Sequence, residues 1–351
     1  MRAILQATWL DCSRRLKRSA EAWNEFWFSP ADTATLAVIR ICTGLILLYV
    51  YGSVTLNVLT YIGPEAWIDD QSFAEVASAV DSNFEEQQRD PEPQYKLSVW
   101  SFLRHPTLVI IFHYYFLAAI VCLTAGLFTR VSNAVVWIGH LSFLHRSTLT
   151  YGIDAILAML LLYLLLAPTG RDYSLDRILS RYWRKRSKLP APAEAATSWA
   201  ANLSLRAIQV HMCVIYACSG LSKLQGESWW NGSAIWQVMM IDNLSPLDLR
   251  WLGYLDDRWI SVICAVGVLI TLLVEIGFPF LIWNRSMRPV MLAGVLILHC
   301  GIGLVMGLGA FSAAMLTGCL AFVSPAGMRW FLRSCLRRES TDDATPTVQP
   351  V

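Results

Sequence analysis

Lys223 carries the best-framed chemistry in this sequence. At helical spacing Tyr216, Ser219, Gly220 and Lys223 share one stripe, so an amine projects beside a patch with almost no side-chain bulk. Such a patch would leave room for a ligand next to the nitrogen. A lysine in apolar surroundings can give up its proton and act as a base near neutral pH. A lysine that only closes a membrane span at the water boundary does nothing of the kind, and the spacing fits both readings.

Other ionisable groups interrupt long apolar stretches: Arg40, His113, His140, His145, Asp154, His211, Glu275 and His299. An ionisable group within a bilayer is costly unless paired or wetted, which makes each one a functional candidate. By position in their segments His211, Glu275 and His299 fall toward mid-membrane, while His140, Arg146, Asp154 and Lys223 fall in the outer third. In a bundle these could line one cavity that opens outward. The simpler alternative for a lone histidine is a hydrogen bond between helices. Arg40 sits about one turn inside its segment and could reach the cytoplasmic interface by snorkelling, a structural role.

Several chemistries find no support. No GxGxxG, P-loop, GxSxG or HExxH pattern is present. The nine cysteines form no CxxC pair, and those in apolar stretches (Cys42, Cys122, Cys264, Cys300, Cys319) read as small packing residues, so no metal site is expected. The basic 181–188 run reads as an orientation signal and a contact for anionic lipid, not as a nucleic-acid site.

The elements that must position these residues are membrane helices. With 55% hydrophobic and only 15% charged residues, and a mean hydropathy of +0.45, the composition excludes an ordinary soluble domain. An all-α polytopic transmembrane helix bundle of about eight spans is expected, near 36–58, 107–129, 131–146, 151–168, 203–222, 259–283, 289–307 and 309–325. The tight joints at Thr129-Arg130 and Gly307-Leu308-Gly309 leave re-entrant breaks open as alternatives. Lys and Arg concentrate before residue 18, over 171–188 and over 329–338, whereas the 60–105 loop is acidic from Glu65 to Glu92. Both termini are therefore expected in the cytoplasm.

Residues 1–28 form an amphipathic N-terminal segment, either lying on the inner leaflet or packing on the bundle. No cleavable signal peptide is visible. Residues 331–351 are expected to form a polar, disordered cytoplasmic tail. Gly303 and Gly307 have the small-xxx-small spacing that lets helices approach closely.

Four stretches, 29–48, 126–177, 205–236 and 298–325, resemble the HTTM (horizontally transferred transmembrane) family, whose domain is shared with vitamin K-dependent gamma-carboxylases. In those enzymes a lysine in an AG-x-KKL-type motif, followed by Trp and Gly, deprotonates the quinol. The matching stretch here is Ser219-Gly-Leu-Ser-Lys223-Leu, followed by Trp229, Trp230 and Gly232, which puts Lys223 on the second lysine and Ser222 on the first. The resemblance thus implies a catalytic Lys223; the positions of the residues themselves make Asp154, His211, Tyr216, Trp230, Glu275 and His299 cavity or substrate-binding candidates and Arg40 and Gly220 structural ones.

Two departures stand against glutamate carboxylation. The carboxylases have a histidine shortly before the Tyr-Gly that Tyr151-Gly152 resembles, and here the residue is near Ser147. They also carry a large lumenal domain that binds the substrate's propeptide, whereas this sequence stops at Val351. The expectation is a multi-pass protein of the cell membrane, of bacterial inner-membrane type, in contact with lipids. It would act on a quinone-like lipid, with a reduced quinone as the only cofactor in question, or serve as a non-enzymatic factor in peptide or lipid handling, of the toxin-peptide maturation or export type. A transporter would favour inverted repeats, and none is seen.

Overall fold

The computed structural model describes residues 2–62, 66, 98–103, 105–146, 151–190, 197–241, 246–248 and 250–339. The acidic residues between Glu65 and Glu92, Ser147 and residues 340–351 fall outside that set. Among the described residues the fold is helical apart from one two-stranded ribbon.

Helix α1 (Arg2–Phe28) leads through β1 (Ala31–Asp32) into α2 (Ala34–Ser53), and α3 (Val58–Ile62) follows a single 3-10 turn. Next come α4 (Pro106–Ala125), α5 (Thr129–Arg146), α6 (Gly152–Leu166) and the short polar helix α7 (Leu175–Arg186). Strand β2 (Thr197–Ser198) pairs antiparallel with β1, Ala31 opposite Ser198, and so sets the starts of α2 and α8 (Trp199–Lys223) side by side. Two small helices, α9 (Glu227–Trp230) and α10 (Ala234–Met239), precede α11 (Asp257–Leu281), α12 (Arg288–Val305), α13 (Gly309–Cys319) and α14 (Pro325–Glu339).

Local signals account for the boundaries. Pro106 opens α4, and Gly126 closes it in the left-handed region at φ 71°. Ser174 and Ser198 accept the Arg177 and Ala200 N–H groups and so cap α7 and α8. The last helix continues through Glu339, so residues 331–339 are helical and not a disordered tail. The run Met328-Arg-Trp-Phe-Leu-Arg is free of Gly and Pro and keeps the helical period.

Helices α2, α6, α8 and α13 form the centre, with Leu47, Leu157, Leu160, Ile208, Met212 and Ala314 buried among them. Gly44 is required there, because a Cβ at that position would run into Thr124 of α4. Over its most apolar stretch α2 is 61% buried, against 28% for α4, 28% for α11 and 17% for α12. The three peripheral helices thus turn bare apolar faces outward, for example Val262, Ile263, Val266, Leu269 and Leu273 on α11. Water would not tolerate such faces; hydrocarbon covers them at no cost.

Each of the eight segments expected to span overlaps a helix, though 36–58 and 309–325 run past the ends of α2 and α13. Four helices (α2, α4, α11 and α12) are long and apolar enough to cross a membrane on their own, and a fifth span is reached if Gly309–Phe322 and Pro325–Ser334, bent by 118°, count as one. The others miss for identifiable reasons. Helix α6 is apolar but short, and α8 carries Asn202, Arg206, Gln209 and His211. Those polar groups are used inside the protein: Asn202 donates to the Phe26 carbonyl at 2.8 Å, and Gln209 donates to that of Ala321 at 2.7 Å.

Candidate functional site: a lysine–carboxylate pair

Lys223 ends α8, where a cation meets the partial negative charge of the helix C-terminus. Its Nζ lies 2.8 Å from Oε2 of Glu275, donates to Oε1 at 3.0 Å and donates to Ser219 Oγ at 2.7 Å. The Trp229 ring sits over the same ammonium, 5.3 Å away. The Lys223 side chain is 22% exposed and that of Glu275 only 7%, so the pair is internal. Oε2 is held by charge contact alone and has no hydrogen-bond partner among the described residues.

Gly220 makes this pairing possible. A Cβ there would lie 2.8 Å from Ile276 Cγ1 and 3.3 Å from Glu275 Cβ, so the bare patch is where α11 presses against α8. This corrects the expectation of open space for a ligand beside the amine: the space holds the carboxylate. Glu275 lies in the last third of α11, so the first half of α11 runs past the end of α8. That overhang is packed by α10 and the turn before it, with Gly232 against Ala265 and Ile235 against Gly267.

Further along the same stripe, the Tyr216 hydroxyl is 2.8 Å from His299 Nε2 and 3.7 Å from Cys319 Sγ. Phe278 stacks on the Tyr216 ring at 4.3 Å. His299 Nδ1 is buried without a partner among the described residues, and the Phe311 ring is 5.9 Å from the imidazole. Phe311 also forms the wall of an apolar cavity of about 880 Å³, lined too by Leu45, Tyr49, Tyr151, Gly303 and Gly307. Gly303 approaches Gly309 and Ser312 of α13, so the small-residue pair serves both a helix contact and the cavity wall.

The other candidates do not join this group. Asp154 accepts the Tyr151 N–H at 2.8 Å as a cap of α6. Its carbonyl faces His140 Nε2 at 3.0 Å, and His140 Nδ1 lies 2.7 Å from the Tyr51 hydroxyl. An acidic residue three positions into a helix is captured by the free N–H groups of that helix start, which removes it from any distant cluster. His211 pairs with the Tyr163 hydroxyl at 3.0 Å between α6 and α8. The Trp230 indole donates to the Leu224 carbonyl at 2.7 Å and its ring is exposed; Trp229, not Trp230, faces the amine. Arg40 is fully buried, donating to the Thr169 and Tyr173 carbonyls at 2.8 and 2.6 Å, with Gly126 close against its guanidinium.

Sequence reasoning missed the polar cluster at the opposite end of the bundle. Arg329 forks onto Asp32 at 2.8 and 3.0 Å and reaches Asp172 at 2.9 Å. Asp172 also takes Arg177 at 3.0 Å and the Thr33 hydroxyl. These residues come from three stretches, 32–33, 172–177 and 329, and no local pattern marks them. No three His, Cys, Asp or Glu side chains among the described residues converge to hold a metal.

A helical bundle with bare apolar faces on its rim, and with its ionisable groups paired inside, is a membrane protein. The HTTM domain matches residues 67–327, and the chain belongs to the HTTM family. No curated protein and no solved structure matches it.

Proposed function

We propose that this is a multi-pass protein of the cell membrane, bacterial inner membrane in type, with eight crossings and both ends in the cytoplasm, and that Lys223 is its proton-accepting residue. A carboxylase-like reaction on a quinone-like lipid is the activity in view. The observation that supports it is the Lys223–Glu275 contact inside the bundle, braced by Ser219 and Trp229.

An ammonium cannot accept a proton, so Lys223 must first hand one to Glu275 across 2.8–3.0 Å. That transfer leaves a neutral amine beside a neutral carboxylic acid and removes two charges from a medium of low dielectric. The neutral Lys223 can then take a proton from an acidic hydroxyl, which is the chemistry a reduced quinone supplies. Ser219 Oγ and the Trp229 ring hold the re-formed ammonium. Glu275 Oε2 and His299 Nδ1, both buried and lacking hydrogen-bond partners among the described residues, are polar atoms that such a lipid headgroup would use, and the apolar cavity beyond Phe311 suits its hydrocarbon.

A second reading follows from the same contact. In it the paired lysine and glutamate are only a latch between α8 and α11, in a non-enzymatic factor for peptide or lipid handling. Lys223→Arg separates the two. It keeps the charge but cannot deprotonate near neutral pH, and quinol-dependent oxygen uptake at matched membrane abundance should fall by about 100-fold or more. Full activity in Lys223→Arg would overturn the base assignment.

A further inference from the structure

Helix α7 has an apolar stripe that no part of the described chain covers. Leu175, Ile178, Leu179, Tyr182 and Trp183 recur at the three- and four-residue spacing of one helix face, and all five are exposed, Ile178 at 62% and Trp183 at 60%. Five basic residues stand against one acidic in the same helix. Arg181, Lys185 and Arg186 form no ion pair among the described residues.

The start of α7 is fixed in place. Asp176 accepts the Phe128 and Thr129 N–H groups at 2.8 and 2.9 Å and the Thr129 hydroxyl at 2.6 Å. Arg177 reaches Asp172, and the Asp176 N–H donates to the Gly126 carbonyl at 2.9 Å. Residues 126–128 join α4, a helix long and apolar enough to cross the membrane, to Thr129 at the start of α5. The first turn of α7 is therefore bolted to the level at which a span leaves the hydrocarbon. Exposed Phe128 sits in the 126–128 joint.

We infer that α7 is a built lipid-binding element, independent of the chemistry at Lys223. Its Ile178, Leu179, Tyr182 and Trp183 side chains enter the acyl boundary, and Arg181, Lys185 and Arg186 hold the phosphates of anionic phospholipids in the leaflet beside it. Apolar insertion and phosphate binding belong to one surface here, because a helix lying in the interface places its bulky stripe downward and its long cations at headgroup height. Zwitterionic lipid would satisfy only the first.

The full-length protein in nanodiscs of phosphatidylcholine, with and without phosphatidylglycerol, tests this. Amide hydrogen exchange over residues 176–186 should slow by about tenfold when phosphatidylglycerol is present, and the difference should shrink in high salt. Arg181→Gln/Lys185→Gln/Arg186→Gln should abolish the difference while exchange in α2 and α11 stays unchanged, which shows an intact fold. Ile178→Ser/Trp183→Ser should raise exchange in both lipids. Equal exchange in the two lipids for the wild-type protein would overturn the proposal. So would protection that rises with protein-to-lipid ratio alongside a dimer mass, which would assign the stripe to a second copy of the chain.

Discussion

Glu275 decides what Lys223 can do. Glu275→Gln keeps the side-chain volume but leaves a buried ammonium facing a neutral amide, and breaking such a pair from one side costs about 3–5 kcal/mol. The thermal midpoint of the detergent-purified variant should fall accordingly. Lys223→Met/Glu275→Leu removes both charges and should recover most of that loss while turnover stays absent. A double variant that still turns over quinol would reduce the pair to a latch. Lys223 and Glu275 each stand out in the sequence as ionisable groups in apolar stretches, but 51 intervening residues separate them. Only the approach of α8 to α11 at Gly220 makes them partners. Asp154 and His211 stood out for the same reason, and nearer hydrogen bonds claimed them.

Among the elements, α14 is tied to the bundle by an arginine that grips two carboxylates. Arg329 joins it to Asp32 ahead of α2 and to Asp172 ahead of α7. A forked arginine–carboxylate contact fixes orientation as well as distance. Arg329→Gln should free this helix, raising hydrogen exchange over residues 328–334 by about tenfold, since a bond to a charged group contributes about 1.5–3 kcal/mol. Exchange in α8 and α11 should not change. If the whole bundle loosened instead, the cluster would be part of the core and not a local clasp. The apolar helices themselves were legible from apolar length. The clasp was not, because Asp32, Thr33, Asp172, Arg177 and Arg329 come from stretches far apart in the chain, and sequence pattern carries no information about such partners.

For the whole molecule, orientation is the open physical question that charge can answer. Reporter fusions at Ser340 and within 185–195 should read cytoplasmic, and fusions near Asp81 and Asp248 external, because basic residues are retained on the inner side. A cytoplasmic reading at Asp248 would reverse the placement of Lys223. What the sequence determined by itself was the class of protein, the helix positions and the family, since apolar length and local breakers act over one element at a time. How the polar residues of Trp199–Lys223 are satisfied was beyond it. They look prohibitive until the fold supplies partners such as the Phe26 and Ala321 carbonyls. The tertiary structure alone decided which ionisable groups meet, because in a bilayer an unpaired charge takes the nearest partner that packing allows, and packing between helices far apart in the chain is set by shapes such as that of Gly220.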